Sequence, residues 1–219
     1  MSDLHTDLSP NIASAAPIAA FTVRAAIRKD ITAIADLLLE GFGHEYGGIL
    51  RQGSGRRFIE RVHALPGRLN GMVVAVDQRD VAIGVAGLRT RELRLRLDGG
   101  EQQVMFEELG VGPSILLDLR EGLMAPPPYQ PAGAEAYLYS VSVTQAWRGR
   151  GVGDALLEFL HAQAHALGKA RVLLEVVSTN QPALRLYERH GYTLVRRRRG
   201  PLGWIPLLTP PLLLLQKQL

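Results

Sequence analysis

The feature that most constrains the fold is a run of glycines between two regular segments. Residues 136–143 are predicted as a strand and 151–167 as a helix, and between them stands Arg148-Gly149-Arg150-Gly151-Val152-Gly153. A second strand is predicted at 171–177, directly after the helix. A strand-helix-strand unit of this kind places its two strands parallel in one sheet, with the glycines at the helix N-terminus.

The rest of the chain adds strands and helices on both sides of that unit. Further strands are predicted at 21–27, 72–76, 81–88, 192–199 and 212–218, and further helices at 31–39, 55–64 and 182–190. Asp30 is predicted to cap the first helix, which Gly41 and Gly43 end. A polar turn at 77–80 makes a hairpin of the second and third strands. The pattern predicts an α/β (α+β) fold.

Length and composition favour one globular domain. The chain has 219 residues, of which 47% are hydrophobic and 21% charged. Residues 1–20 are predicted as a flexible leader and 21–219 as a single domain, with an insertion at 89–134 to which the sequence assigns no structure. The leader does not resemble a secretory signal, and the 212–215 leucine run is too short to span a bilayer. We expect a cytoplasmic monomer or homodimer without membrane contact.

The glycine run is suited to binding phosphate. Glycines let backbone N–H groups crowd together at a helix N-terminus, where an anion is favoured. A dinucleotide fingerprint fails, because Asp154 or Leu156 stands at its third glycine position, depending on the count. The chain has no Gly-Lys-Ser or Gly-Lys-Thr triplet, which excludes a nucleoside-triphosphate loop. A tight turn without a ligand stays open on the loop alone.

Two motifs together resemble the GNAT superfamily of N-acetyltransferases. The signature Arg/Gln-x-x-Gly-x-Gly/Ala is met by Arg148, Gly151 and Gly153, and Asn-x-x-Ala-x-x-x-Tyr-x-x-x-Gly-aromatic is met by Asn180, Ala183, Tyr187, Gly191 and Tyr192. The resemblance is strong over about 137–192, whereas 89–134 is longer than the family's usual connection. It implies a central, mixed and mostly antiparallel sheet of about seven strands flanked by helices, with strands four and five parallel and splayed.

The resemblance also implies the cosubstrate and the reaction. Acetyl-CoA would bind, and its acetyl group would pass to a primary amine of a small molecule or peptide by direct attack in a ternary complex, since the chain has no cysteine. The implied cofactor-binding residues are Val141, Ser142, Val143, Arg148, Gly149, Arg150, Gly151, Val152, Gly153, Asn180, Ala183 and Tyr187. Three alternatives stay open: core packing for the two valines, a helix N-cap for Asn180 and a solvated loop for Arg150.

Tyr187 is the predicted general acid. A phenol of pKa ~10 lies close enough to a thiol of pKa ~8.5 to deliver a proton to a thiolate, although packing on the sheet is another interpretation. Glu135 is a candidate base, or simply an exposed carboxylate at a strand start. The acceptor pocket is expected to include Phe42, His44, Glu45 and Tyr46, and His44 or Glu45 is a further candidate base.

Metal and nucleic-acid sites are not predicted. His161 and His165 lie four residues apart, but Ala162 stands where a metalloprotease helix needs its glutamate. The arginines at 196–199 are typical of a solvated strand edge, and no stacking aromatics are interleaved with them. The alternative to an enzyme is a CoA-binding regulatory or interaction module without turnover, in which 89–134 contacts a partner.

Overall fold

A computed structural model describes residues 20–43, 53–91, 100–201 and 210–219. Its strands are β1 (Phe21–Ala25), β2 (Met72–Asp77), β3 (Ala82–Thr90), β4 (Glu135–Val143), β5 (Arg171–Val177), β6 (Thr193–Arg198) and β7 (Leu212–Gln218). Within the described residues they form one seven-stranded sheet in the order β1-β2-β3-β4-β5-β7-β6.

Helices cover both faces of this sheet. They are α1 (Ile31–Phe42), α2 (Gly53–Ala64), α3 (Gly100–Leu109), α4 (Val111–Met124), α5 (Val152–Ala166) and α6 (Gln181–Arg189). Leu156 and Leu160 of α5 pack in one core against Leu138 and other residues of one face, and Ile34 of α1 packs in a second core with Val74 of the other face. No helix in the described parts of the chain is long and apolar enough to cross a membrane.

The sheet is antiparallel except between β4 and β5. These two strands pair in parallel only over 135–138 and 171–174. Beyond Leu138 and Leu174 both strands continue unpaired with each other, to Val143 and Val177, so a gap opens between them at their carboxyl ends. The prediction of parallel, splayed fourth and fifth strands in a mixed sheet is confirmed.

Asp30 does not cap α1 as the sequence predicted. Its side chain is 3% exposed and makes no capping hydrogen bond to the helix. It instead accepts the Ile27 N–H at 2.8 Å and an Arg24 Nη1 hydrogen bond at 2.7 Å. Asp30 thus occupies the predicted N-cap position, but the side-chain cap does not form, because Arg24, six residues earlier, and the preceding turn satisfy its carboxylate instead.

The insertion contains two helices, α3 and α4, both fixed to the domain. Arg57 and Arg61 of α2 each lie 2.9 Å from the Glu108 carboxylate of α3. Ser114 of α4 donates its hydroxyl to the Met105 carbonyl of α3 at 3.1 Å. Residues 92–99, where Leu93, Leu95 and Leu97 alternate with other residues as in a strand, lie outside the described residues, as does the leader up to residue 19.

Candidate functional site

The predicted cofactor-binding residues lie on segments that follow the carboxyl ends of β4 and β5 or form those ends. β4 runs into the glycine loop and then into the N-terminus of α5, and β5 runs into the N-terminus of α6. The gap between the two strands opens at the same edge. A crevice outside the carboxyl ends of parallel strands is where open α/β sheets bind ligands, so the topology favours a ligand site here.

The glycine loop presents unpaired backbone donors. Gly149 and Gly151 have φ angles of 72° and 79°, a conformation that glycine adopts without strain. The first hydrogen bond of α5 joins the Ala155 N–H to the Gly151 carbonyl at 3.0 Å. The N–H groups of Val152 and Gly153 therefore have no acceptor within the helix, and the positive end of the helix dipole adds to their attraction for an anion.

Two close packing contacts fix the start of α5. A Cβ at Gly84 of β3 would lie 3.0 Å from Val152 Cγ1, and a Cβ at Gly153 would lie 3.1 Å from Leu186 Cδ2 of α6. Val152 itself is 1% exposed and belongs to the core. The glycines thus allow the helix N-terminus to approach both the sheet and α6, which holds its donors at the mouth of the gap.

The Glu40 carboxylate at the end of α1 organises the turn before the loop. It accepts hydrogen bonds from Thr144 Oγ1 (2.9 Å), from the Gln145 N–H (2.6 Å) and from Arg148 Nη2 (3.1 Å). Arg148 Nε also donates to the Val143 carbonyl at 2.9 Å. Arg148 therefore braces the loop through its side chain, a contact that the motif alone does not reveal.

Arg150 is placed differently from Arg148. Its guanidinium carbon lies 5.5 Å above the centre of the Trp147 ring. That ring makes an edge contact with Phe21, with centroids 6.2 Å apart. Within the described chain Arg150 has no ion pair, so its charge is available to a bound anion.

A bulge in β4 was not predicted. Tyr139 pairs with Gly87, and the next pair joins Ser142 to Val85, so β4 carries one extra residue there. Ser140 has a φ of 54°, which is unusual for a residue other than glycine. The bulge follows directly after Leu138, where the pairing of β4 with β5 ends. No local sequence signal marks it, because its cause is the pairing with β3.

In residues 141–143 of β4, backbone groups of Val143 face the gap, whereas the side chains pack inside the protein. The Thr144 N–H donates to Ile83 of β3 at 3.0 Å, so the backbone groups of the preceding Val143 face the opposite edge, toward the gap. The side chains of Val141 and Val143 pack against the core under α5. Ser142 donates its hydroxyl to the Leu37 carbonyl of α1 at 2.8 Å and is buried.

The N-terminus of α6 places Asn180 and Ala183 at the gap. Asn180 Oδ1 accepts the Ala183 N–H at 3.2 Å, which is the helix-capping alternative of the sequence interpretation. The side-chain amide nitrogen of Asn180 makes no hydrogen bond within the described residues and can still donate to a ligand. Ala183 packs against the core beneath α5.

Tyr187 is held in a nonpolar setting on α6. It is 6% exposed, and its ring centre lies 5.7 Å from that of Tyr192. No described residue forms a hydrogen bond with its hydroxyl. Burial raises the pKa of Tyr187 to about 12, so the phenol stays protonated at neutral pH and can donate a proton.

Glu135 lies at the opposite end of β4 from the bulge. Its carboxylate accepts the Tyr129 hydroxyl at 2.8 Å and the Ala132 N–H at 2.9 Å, and pairs with Arg171 at 2.9 Å. These donors outweigh burial and hold its pKa below the ordinary value. Ser140 lies five positions after Glu135, roughly 16 Å along a strand. Its contacts are those of a structural carboxylate.

A cavity of about 580 Å³ lies on the face of the sheet covered by α1. Helices α1 to α4 line it together with Ser140 at the bulge of β4. Phe42, one of the predicted acceptor residues, contributes to its wall. His44, Glu45 and Tyr46 lie outside the described residues. The insertion helices thus lie beside the point where β4 and β5 separate.

The two histidines that raised the question of a metal are not assembled into a site. His161 Nε2 lies 2.8 Å from the Tyr192 hydroxyl, and burial lowers the pKa of His161 to about 4. Over the described ranges, no group of three or more histidine or acidic side chains could hold a metal ion.

Comparison with known proteins identifies the family. Residues 40–192, more than half of the chain, match the family model described as the acetyltransferase (GNAT) family. The chain belongs to the GNAT family. The glycine loop, the splayed strands and α5 therefore belong to a GNAT domain, as the two motifs indicated.

The individual curated relatives match only part of this chain. An uncharacterized N-acetyltransferase, YdgE of Bacillus subtilis, is 36% identical over 64 residues, which cover 29% of this chain and 41% of that protein. The ribosomal protein bS18 alanine N-acetyltransferase of Escherichia coli is 37% identical over 66 residues, 30% of this chain and 45% of that protein. The chain thus spans less than half the length of these curated relatives.

Solved GNAT structures match over nearly the whole chain. A crystal structure of an acetyltransferase has a TM-score of 0.65 and 25% identity, covering 90% of this chain and 98% of that one. yncA of Salmonella typhimurium, solved with its cofactor acetyl-CoA, has a TM-score of 0.53 and 18% identity, covering 91% and 94%. At that identity the second likeness is one of fold.

Proposed function

We propose that this GNAT protein is an acetyl-CoA-dependent N-acetyltransferase that acetylates a primary amine by direct attack in a ternary complex. One observation carries the proposal: β4 leads into the start of α5, with its unpaired N–H groups, and β5 leads into α6, which carries the buried phenol of Tyr187, both at the edge where the gap between β4 and β5 opens. The donors suit a diphosphate, the unpaired strand edges suit an amide-bearing arm, and the phenol suits a leaving thiolate.

The cosubstrate would be held mainly by backbone groups. The N–H groups from Gly149 to Gly153 would bind the diphosphate, and Arg150 would add its charge. The pantetheine arm would lie in the gap as an added strand and pair with the N–H of Val143, whose carbonyl already accepts a hydrogen bond from Arg148. Asn180 would donate its amide N–H to the arm while its oxygen continues to cap α6.

In the proposed reaction Tyr187 is the proton donor. The amine nitrogen attacks the acetyl carbonyl carbon, the carbon–sulfur bond breaks, and the thiolate takes the proton of the Tyr187 hydroxyl. The amine loses a proton to a base, and Glu135 is poorly suited to that role because Arg171, Tyr129 and Ala132 already use its lone pairs. We propose a structural role for Glu135, with the amine proton passing to water or to a group near the cavity.

Thiol release in the presence of amines tests the proposal. Wild-type protein with acetyl-CoA and a panel of primary amines should release free thiol only when amine is present. Tyr187→Phe should lower kcat about 100-fold and leave the calorimetric Kd for acetyl-CoA within about threefold. Tyr129→Phe is the matched control, since it also removes one phenol but contacts Glu135 instead of the gap.

The alternative predicts a different outcome in the same experiment. A CoA-binding module would bind acetyl-CoA with normal affinity and release no thiol with any amine. In that case the exposed side chains on α4, among them Ile115, Leu116 and Leu119, would be the first place to look for a partner. Acetyl-CoA binding with amine-dependent release excludes this alternative.

A further inference from the structure

The cavity beside the bulge of β4 has walls of two kinds. Its apolar lining comes from all four helices on that face: Leu38, Leu39 and Phe42 of α1, Phe58, Ile59 and Val62 of α2, Met105 of α3, and Leu117 of α4. Its polar lining includes three carboxylates from the insertion, those of Glu101, Asp118 and Glu121. Such a lining suits a ligand with an apolar body and a positive charge.

The insertion helices form a fixed wall of this cavity. Ile59 of α2 packs in a small core with Ala35 of α1 and with Leu109 of α3. The ion pairs from α2 to Glu108 and the Ser114 hydrogen bond between α3 and α4 hold the same wall. The cavity is therefore bounded on one side by α1 and α2 and on the other by the segment in which this chain departs from the usual GNAT connection.

Two of the three carboxylates have no direct partner in the described part of the chain, although the Arg120 charge lies near Glu121. Glu101 pairs with the buried guanidinium of Arg68. Asp118 and Glu121 form no hydrogen bond or ion pair with any described residue, and three-residue spacing places them on one side of α4. Partial burial raises the pKa of Glu121, and the neighbouring Asp118 charge raises it further. A cation bound between these two carboxylates would relieve their repulsion.

The cavity also reaches the point of transfer. Ser140, at the β4 bulge, is the strand residue in its lining. Under the proposed function the acetyl group would lie at the start of the gap, next to this bulge. An amine that reaches Ser140 through the cavity would thus meet the thioester, while the rest of the acceptor stays between the helices.

We infer that the acceptor is an amphipathic amine with a second positive charge: its reactive amine reaches Ser140, its apolar body fills the cavity, and its other cation pairs with Asp118 and Glu121. This inference rests on the proposed function and names its substrate class. The apolar lining selects against short diamines, because they cannot cover it. The two carboxylates select against monoamines of the same length, because these leave the charges unpaired.

A set of three amines separates these effects. Octamethylenediamine has both the apolar body and the second charge, octylamine has only the body, and ethylenediamine has only the second charge. With wild-type protein and saturating acetyl-CoA, kcat/KM for octamethylenediamine should exceed that for each of the others by about tenfold. Added salt should reduce the preference over octylamine, since it screens the charge pair.

Variants that remove one carboxylate charge test whether Asp118 and Glu121 cause the preference for a second positive charge. Asp118→Asn and Glu121→Gln should each lower kcat/KM for octamethylenediamine about threefold to fivefold through KM and leave octylamine unchanged. Glu158→Gln is the matched control, because Glu158 is an exposed carboxylate on α5, which covers the opposite face of the sheet. It should change neither substrate.

The outcomes distinguish the inference from the function on which it rests. If wild-type protein acetylates amines but uses octylamine as well as octamethylenediamine, or if the two variants behave like Glu158→Gln, the inference is overturned and the acetyltransferase stands. If acetyl-CoA binds and no amine releases thiol, the proposed function itself fails. If a variant does not fold, the salt dependence of the wild-type preference for octamethylenediamine over octylamine still tests the inference, and a preference that salt does not reduce overturns it.

Discussion

Replacing Gly151 by alanine tests whether the loop holds its shape for an anion. Gly151 has a φ of 79°, and no heavy atom outside its neighbours lies within 4 Å of the position a Cβ would take. The added methyl group meets nothing, so its whole effect comes from the backbone. The left-handed conformation costs an L-residue about 1–2 kcal/mol relative to glycine.

Gly168 provides a control with the same strain at the other end of α5. Its φ is 67°, and its Cβ position is also free of neighbours. Gly168→Ala should lower the free energy of unfolding by about 1–2 kcal/mol and leave the Kd for acetyl-CoA unchanged. Gly151 lies in the loop, where rotation of the backbone in the free protein relieves the same strain. Gly151→Ala should therefore lose less stability than Gly168→Ala, and acetyl-CoA must restore the bound shape, which weakens its Kd about fivefold to thirtyfold.

Urea unfolding and calorimetry measure the two quantities separately. The expected result is destabilisation with an unchanged Kd in Gly168→Ala, and a smaller destabilisation with a weaker Kd for acetyl-CoA in Gly151→Ala. A Gly151→Ala protein that loses less stability than Gly168→Ala and still binds acetyl-CoA with the wild-type Kd would refute the reasoning, because the loop geometry would then not matter to the ligand.

Three further predictions follow from buried contacts. Glu135→Gln should lower the free energy of unfolding by about 1–3 kcal/mol and keep kcat within about twofold, as measured by urea unfolding and thiol release; a large loss of kcat would restore Glu135 as the base. Burial holds the pKa of His161 at about 4, below the ordinary ~6.5, so the unfolded state binds more protons between these values and stability falls as the pH decreases through them. We expect the free energy of unfolding, measured in urea, to fall between about pH 7 and pH 5. The fall should be about 1–2 kcal/mol larger in the wild-type protein than in His161→Gln. Gly87→Ala should cost about 1–3 kcal/mol in thermal unfolding, because its Cβ would lie 2.3 Å from Tyr139 Cζ; an unchanged Tm would contradict the packing at the bulge.

Elements with strong local signals could be predicted from the sequence. β5 and β7 have the predicted bounds, and α5 and α6 differ from prediction by one residue at each end. Alternation, helical spacing, glycine turns and a proline in the first turn of α6 are all read within a few residues. The two cofactor motifs are local in the same sense, and the family match agrees with them.

The helices of the insertion lack such signals. Gly110 separates α3 from α4, and Pro113 lies in the first turn of α4, so the segment resembles a loop in composition. Ile115, Leu116 and Leu119 are each more than half exposed, and the apolar residues of α4 therefore do not define one buried face. Periodicity could not find a helix whose apolar side chains are not all buried.

The finer parts of the site depend on contacts that are distant in sequence. The bulge at Ser140 follows from pairing with β3, and the brace on Arg148 comes from Glu40, more than 100 residues earlier. Arg171, which forms an ion pair with Glu135, lies 36 residues later in the sequence, at the start of the neighbouring strand β5. A single sequence does not show these pairs, so it predicted where the glycine loop lies but not what holds it.

Backbone amide resonances of the glycine loop give the most direct test of the central claim. In the intact protein, acetyl-CoA should shift the N–H signals of Gly149, Gly151 and Gly153. S-acetylpantetheine, which lacks the diphosphate, should leave these three signals in place and shift those near Val143. Acetyl-CoA that binds without moving the loop signals would show that its diphosphate lies elsewhere and would contradict the account.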